Sequence, residues 1–228
     1  MLKLEGVTKS YGGVRPRVVL REVTLEVGRG DFIAIMGESG VGKSTLLNLI
    51  AGLDVPDAGR IVLDGTELTG LDDTARTLIR RERMGFVFQA FHLLPHLTVA
   101  RNVRLPLDLA GTAPADADRR TQTILAALGI ASLAPDYPRA LSGGEAQRTA
   151  IARALVHEPA LVLADEPTGN LDAETASEVL ALLRDQVKRS GGAGVLVTHS
   201  LAAARTADRV YELTALGLVH RSLPPGEA

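Results

Sequence analysis

Gly37-Glu38-Ser39-Gly40-Val41-Gly42-Lys43-Ser44 decides how the rest of the chain is read. An apolar run over residues 32–36 leads into it, and Thr45-Leu46-Leu47-Asn48-Leu49-Ile50-Ala51 leaves it with helical character and no breaker. The order is therefore strand, glycine loop, helix. The spacing G-x-x-x-x-G-K-[ST] is that of a phosphate-binding loop: its glycines let backbone N–H groups curl round a polyphosphate, and Lys43 reaches the outer phosphates. Ser44 is placed to offer a hydroxyl to Mg²⁺, and the helix beginning there turns its positive end toward the anion. Gly37, Glu38, Ser39, Gly40, Val41, Gly42, Lys43, Ser44 and Thr45 form the expected nucleotide-binding stretch. A mere glycine turn is the competing reading, and the flanking strand and helix count against it.

The 228 residues suffice for one sizeable core with a small subdomain, and 46% hydrophobic and 23% charged residues describe an ordinary globular composition. A net charge of -2 leaves no basic excess to neutralise phosphates, so nucleic acid is not an expected partner. With no cysteine, disulfides, thiolate zinc sites and cysteine nucleophiles are excluded, which fits a reducing compartment. The chain opens in an alternating pattern rather than an apolar signal segment, which argues against export. No stretch approaches the ~20 apolar residues of a membrane span. The longest uncharged stretch, residues 84–100, is interrupted by Gln89, His92, Pro95 and His96. The expectation is a soluble or membrane-peripheral protein.

Residues 2–7 and 18–27 alternate apolar with polar side chains, with breaks at Gly12-Gly13 and Gly28-Arg29-Gly30. They read as antiparallel strands with one solvated face. A third such run, Gly59-Arg60-Ile61-Val62-Leu63, ends in an Asp64-Gly65 turn, so a small β-sheet is expected beside the nucleotide core. Tyr11, in a Gly-rich turn, suits either stacking on a base or packing at a sheet edge. Residues 74–83 are helix-compatible, and Met84-Gly85-Phe86-Val87-Phe88 reads as a buried strand delivering Gln89 to the carboxyl edge of a sheet, where ligands bind; loop capping is its alternative role. His92 and His96 lie four apart, but Pro95 spoils the helix that would align them on a metal. The apolar loop around them suits a partner surface instead.

Residues 90 to about 141 read as a helical subdomain inserted between core strands, and strand signals vanish over 102–133. Residues 102–133 are helical in character, with a break at 111–115 and a periodic helix from about Ala117 to Leu128. Leu141-Ser142-Gly143-Gly144-Glu145-Ala146-Gln147-Arg148 then opens another helix, with Ser142 as N-cap and Glu145 closing a capping box. Its two glycines cost helix stability, about 1 kcal/mol each relative to Ala, yet expose N–H groups at the positive end of the dipole, where an anion binds. Leu161-Val162-Leu163-Ala164 is a buried strand ending in Asp165-Glu166. Adjacent carboxylates at a strand mouth need a cation or water as partner. Beside a phosphate loop, Asp165 suits Mg²⁺ and Glu166 suits the attacking water, more than a helix-capping acidic pair. After Asn170-Leu171-Asp172 a helix over 173–189 is expected, stopped by Gly191-Gly192-Ala193-Gly194. The last core strand, Val195-Leu196-Val197-Thr198, ends at His199, which is favoured to touch the terminal phosphate. His157 and His220 read as ordinary surface residues, and the tail from Leu223 through Pro224-Pro225-Gly226 as frayed.

Together, residues 37–44, Gln89, 141–147, 161–166, 170–172 and His199 resemble the ordered motif set of ABC-transporter ATPase domains, from Walker A and Q-loop through LSGGQ-type signature, Walker B and D-loop to switch histidine. The resemblance covers essentially the whole chain. Gly52-Leu53-Asp54, the Gln89 strand, residues 91–95 and the run from Leu163 to Asp172 look like the lipoprotein-releasing and macrolide-export (LolD/MacB/FtsE-like) group. It implies an α/β fold: a P-loop, RecA-like core with an antiparallel β-subdomain and an inserted helical subdomain. The expected division of the single domain 1–228 is core plus β-subdomain at about 1–89 and 156–222, and helical subdomain at about 90–155.

The resemblance further implies a head-to-tail homodimer with ATP and Mg²⁺ at its interface, working on an integral membrane permease subunit from the cytoplasmic face of the cell membrane. It makes Tyr11 an adenine-stacking residue. Lys43, Glu166 and His199 are catalytic, Ser44, Gln89 and Asp165 hold the metal, and Asp172 belongs to the dimer loop. Ser142, Gly143, Gly144 and Glu145 act on the other copy's nucleotide. Glu145 departs from the commoner glutamine, Ser200 from aspartate, Arg101 from glutamate near the coupling surface, and Leu213 to His220 lacks the usual Asp-Gly turn. No catalytic group is lost. A regulatory ATPase gating a membrane or cell-wall activity is the alternative function. DNA-repair ATPases of this family usually carry a coiled-coil or zinc insertion, and none is visible.

Overall fold

The alternating residues at the start of the chain fold as antiparallel strands β1 (Leu2–Tyr11) and β2 (Arg17–Val27) in the computed structural model, which describes residues 1–12 and 17–223. Leu2, Leu4 and Val7 face inward from β1, and Leu20, Val23, Leu25 and Val27 from β2. A bulge between Leu4 and Val7, with Gly6 at φ +61°, absorbs the extra residue that breaks strict alternation. Next come β3 (Phe32–Met36), α1 (Lys43–Ile50), β4 (Ala58–Leu63), β5 (Thr66–Glu67), α2 (Asp73–Arg83) and β6 (Met84–Phe88). Asp64 and Gly65, both at positive φ, turn β4 into β5. A helical stretch follows, with α3 (Val99–Leu109), α4 (Pro114–Ala127) and α5 (Gly143–Leu155). The chain finishes with β7 (Leu161–Asp165), α6 (Ala173–Arg189), β8 (Ala193–Val197), α7 (Leu201–Ala204), β9 (Arg209–Thr214) and β10 (Gly217–His220).

Among the described residues the strands make two sheets. One is antiparallel, in the order β2-β1-β4-β5; the other runs β10-β9-β3-β8-β7-β6, parallel except for β10. Both faces of the parallel sheet are covered, which is why β3, β7 and β8 read as unbroken apolar runs. Phe32, Ala34 and Met36 of β3 pack with α3, α4, α5 and α6, while Ile33 and Ile35 face α1 and the antiparallel sheet. The α/β class and the antiparallel sheet follow the sequence reading. So does α6, which Asp172 caps by accepting from Thr175 N–H at 3.0 Å, with Lys188 and Arg189 in its last turn.

Several expectations are corrected. Val195 to Thr198 is not the last core strand: β9 lies parallel against β3 in the same sheet. Arg209 and Glu212 interrupt β9's apolar pattern because only part of it is buried. The glycine stop after α6 is shorter than expected, since Ala193 and Gly194 already pair in β8. The break before α4 ends earlier, with Pro114 in its first turn. Phe88, at the end of the outermost strand β6, is exposed rather than buried. The terminal hairpin forms without Asp-Gly: Thr214 Oγ1 accepts from Leu216 N–H at 3.2 Å and donates to Gly217 O at 3.0 Å. His157 is half-buried rather than an ordinary surface residue; it packs under β6, within 3.0 Å of Met84 O, and burial pushes its pKa down. His220 is exposed as expected. The tail expected to fray from Leu223 is corrected at its first residue, since Leu223 packs partly buried against the core; its remainder, residues 224–228, lies outside the described residues, as does Gly13.

Gly85 sets how closely α5 approaches β6. A Cβ there would stand 2.1 Å from Ala154 O, a backbone atom that cannot swing away. Gly85→Ala is expected to destabilise the protein by about 1–3 kcal/mol, read as a lowered Tm in a thermal melt. An unchanged melt would show that α5 can retreat freely.

Candidate nucleotide site

The carboxyl ends of β3, β7 and β8 lead into the phosphate loop, Asp165-Glu166 and Thr198-His199 at one edge of the sheet. A concavity of about 400 Å³ opens there, with Tyr11, Ser39, Lys43, Ser44, Asp165 and Glu166 in its walls. Gly42, at φ +115°, is the N-cap of α1 and brings no side chain to cap it. The first N–H groups of α1 are thus left for a ligand. Lys43 Nζ meanwhile donates to Gly37 O at 2.7 Å and Glu38 O at 2.9 Å. These are neutral acceptors that a phosphate oxygen can outbid.

Ser44 Oγ donates to Asp165 Oδ2 at 3.4 Å. Burial pushes the Asp165 carboxyl up, and the adjacent Glu166 adds to this, against the opposing influence of Ser44 and Lys43. A carboxylate so placed gains from a cation. Hydroxyl and carboxylate are hard oxygen donors, and no cluster of three or more His, Cys, Asp or Glu surrounds them among the described residues. Such a sparse pair suits Mg²⁺, which keeps waters and takes phosphate oxygens.

Glu166 is held harder. Its backbone sits at φ +46°, and its N–H donates to Val197 O at 2.9 Å. Oε2 accepts from Thr198 Oγ1 at 3.1 Å, while Oε1 accepts from His199 N–H at 2.9 Å and lies 2.7 Å from His199 Nδ1. The carboxylate can only accept, so Nδ1 carries the proton and Nε2 is left free. His199 therefore touches Glu166 in this structure, with its ring otherwise in solvent.

Other expected site residues lie apart. Gln89 does not meet Ser44 and Asp165. Its Nε2 donates to Asn170 Oδ1 at 3.2 Å, and Asn170 Nδ2 returns a bond to Gln89 O at 3.0 Å. The start of α5 carries the expected capping box, Ser142 N–H to Glu145 Oε2 at 2.8 Å and Glu145 N–H to Ser142 Oγ at 3.4 Å. Gly143 and Gly144 face Leu171 and Thr175, in the Asp172 loop and the first turn of α6, away from the phosphate concavity. Tyr11 stands at that concavity's rim, half exposed.

Sequence reasoning passed over three further contacts. Thr198 orients Glu166, and its only sequence signal is a polar residue closing an apolar strand. Asp54 receives Tyr11 and Lys9. Arg153, on α5, donates to Phe91 O at 2.8 Å and to His92 O at 2.5 Å, and both of those residues are at φ +49°. Beside Arg153 lies a second concavity, about 630 Å³ between β6, α2, α3 and α5. Leu53, Phe86, Phe88, Leu105 and Leu109 give it an apolar wall. No helix among the described residues is long and apolar enough to cross a membrane.

Comparison with known proteins shows the family. The family described as ABC transporter matches residues 20–169. The chain is 46% identical over 217 residues to the lipoprotein-releasing system ATP-binding protein LolD of Cereibacter sphaeroides, covering 94% of this chain and 97% of that protein. LolD of Bacteroides thetaiotaomicron is 41% identical over 93% of this chain and 96% of its own length. Among solved structures, the dimeric ATP-binding cassette MJ0796 in a post-hydrolysis state with ADP and Pi superposes with a TM-score of 0.87 at 38% identity, covering 99% of this chain and all of that one.

Proposed function

Since this chain belongs to the ABC transporter family of ATP-binding subunits, we propose that it powers a separate membrane permease by closing as a homodimer around ATP, in a lipoprotein-releasing or related export system. It is an ABC ATPase, and ATP is its substrate. The observation that carries the dimeric reading is a separation. Lys43, Ser44, Asp165 and Glu166 share one concavity, whereas the anion-binding start of α5 at Ser142, Gly143 and Gly144 lies outside it. Each copy thus holds half of a site, and a second copy arranged head to tail supplies the rest.

In the proposed cycle the N–H groups of residues 37–45 and the Lys43 ammonium bind the triphosphate, and Tyr11 stacks on the base. Ser44 and Asp165 would hold Mg²⁺, whose charge offsets that of the phosphate oxygens. Gln89 joins them only once its pair with Asn170 parts. Glu166 accepts a proton from the attacking water, with Thr198 and His199 fixing its two oxygens. Closing the dimer places Ser142, Gly143, Gly144 and Glu145 against the other copy's terminal phosphate, with Asp172 at the seam. Hydrolysis removes the contact that favours closure.

In this reading the apolar concavity beside Phe88, together with residues 89–96, is the surface offered to the permease, and the subunit works from the cytoplasmic face of the membrane. Residues 90–155 form the helical subdomain in this reading, with the core and β-subdomain at 1–89 and 156–222.

Mixing two disabled variants tests the shared site. Lys43→Ala spoils the phosphate loop, and Gly144→Asp puts a carboxylate where the other copy's phosphate arrives. Each is expected to be inactive alone, but a mixed dimer has one intact site, so an equal mixture recovers about a quarter of normal phosphate release. If each chain were complete in itself, mixing would recover nothing.

A further inference from the structure

Tyr11 is tethered at its tip. Its hydroxyl donates to Asp54 Oδ2 at 2.6 Å, while Asp54 Oδ1 accepts from Lys9 Nζ at 2.8 Å and from Val55 N–H at 2.7 Å. Lys9, two residues before Tyr11 on the same face of β1, is buried; it also donates to Val55 O at 2.7 Å and stands 5.0 Å from the centre of the Tyr11 ring. Asp54 is itself fixed to the far end of α1, where Leu53 N–H and Asp54 N–H both donate to Asn48 O, at 2.9 and 3.3 Å. The near end of that helix is the phosphate loop. One helix therefore sets both the phosphate cradle and the anchor of the aromatic ring.

The carboxylate is ionised under ordinary conditions. Burial opposes this, but the hydrogen bonds from Lys9, Tyr11 and Val55 prevail and hold Asp54 below its usual range. The Tyr11 hydroxyl is correspondingly pushed up, first by its bond to Asp54 and then by burial. At neutral pH it therefore stays a proton donor to Asp54.

The geometry points to Asp54 as a positioning residue for nucleotide binding: it locks the Tyr11 ring at a fixed distance from the phosphate loop, so that the base meets a platform already in place. This rests on the reading of Tyr11 as the base-stacking residue. Without the tether an exposed ring rotates freely and must be ordered at each binding event, which weakens affinity for a nucleotide by about three- to tenfold. A ligand without a base feels no such loss.

The test compares ATP with inorganic tripolyphosphate, each with Mg²⁺, by titration calorimetry on Tyr11→Phe, Asp54→Ala, their combination, and Tyr11→Ala. Tyr11→Phe keeps the ring, removes only the tether, and leaves Lys9 paired, so it answers even if Asp54→Ala folds poorly. The expected result is three- to tenfold weaker ATP binding in Tyr11→Phe and in Asp54→Ala, unchanged tripolyphosphate binding, and no further loss in the combination. If Tyr11→Ala weakens ATP binding but Tyr11→Phe does not, the ring stacks untethered and the role of Asp54 is overturned. Equal weakening of both ligands by Asp54→Ala, with Tyr11→Phe unaffected, assigns Asp54 to the helix alone and likewise overturns it. Unchanged ATP binding in Tyr11→Ala rejects the stacking reading, and the positioning role with it.

Discussion

Glu166→Gln is expected to lower ATP hydrolysis by about 10²- to 10⁴-fold, the usual contribution of a placed general base, while ATP binding stays close to normal. The amide is nearly isosteric and still offers an oxygen to Thr198 or His199. It cannot take a proton from water. The backbone of Glu166 lies at φ +46° in either case, so the substitution adds no strain. With cleavage blocked and ATP retained, the closed pair of chains should accumulate. Phosphate release measures the first effect, and elution volume with ATP and Mg²⁺ the second. Turnover within about threefold of the unaltered protein would remove Glu166 from the proton transfer.

Lys43→Ala should act on the ground state instead. Among the described residues the ammonium bonds to Gly37 O and Glu38 O alone, acceptors within the loop that in the proposed cycle it trades for phosphate oxygens. Truncating one member of such a charged pair costs about 2–5 kcal/mol, or roughly 30- to 5,000-fold in Kd. Because Lys43 is partly exposed and makes no ion pair within 4 Å among the described residues, the fold should keep its Tm. Calorimetric titration with ATP reads the affinity and a thermal melt the fold. A Kd within threefold of normal would show that the loop N–H groups alone carry the phosphates.

What the sequence revealed was largely local. The phosphate loop, the Ser142–Glu145 box and the span of α6 each depend on residues a few positions apart, and all stand where their pattern put them. The contacts that escaped notice join distant segments: Tyr11 to Asp54, Glu166 to Thr198, Gln89 to Asn170. No spacing rule marks such pairs, since the sheet order alone brings them together. β9 was obscured for a related reason. Its partner β3 comes from early in the chain, and its half-buried position lets Arg209 and Glu212 mask the apolar rhythm. Gln89 shows a different limit: its type and its strand pointed to the edge of the sheet, but not to which neighbour its amide would grip.

Arg153 gives α5 two working ends. From Gly143 to Arg153 the helix is unbroken, roughly 15 Å at 1.5 Å per residue. One tip is the start that the proposed dimer presents to the neighbouring copy's triphosphate; the other grips the carbonyls of Phe91 and His92, on the side proposed to meet the permease. A stiff rod held at both extremities transmits a push as readily as a pull. On this arrangement a tug on residues 91–92 from outside reaches the adjoining copy's ATP, and tightening around ATP is felt in return by whatever occupies the apolar recess.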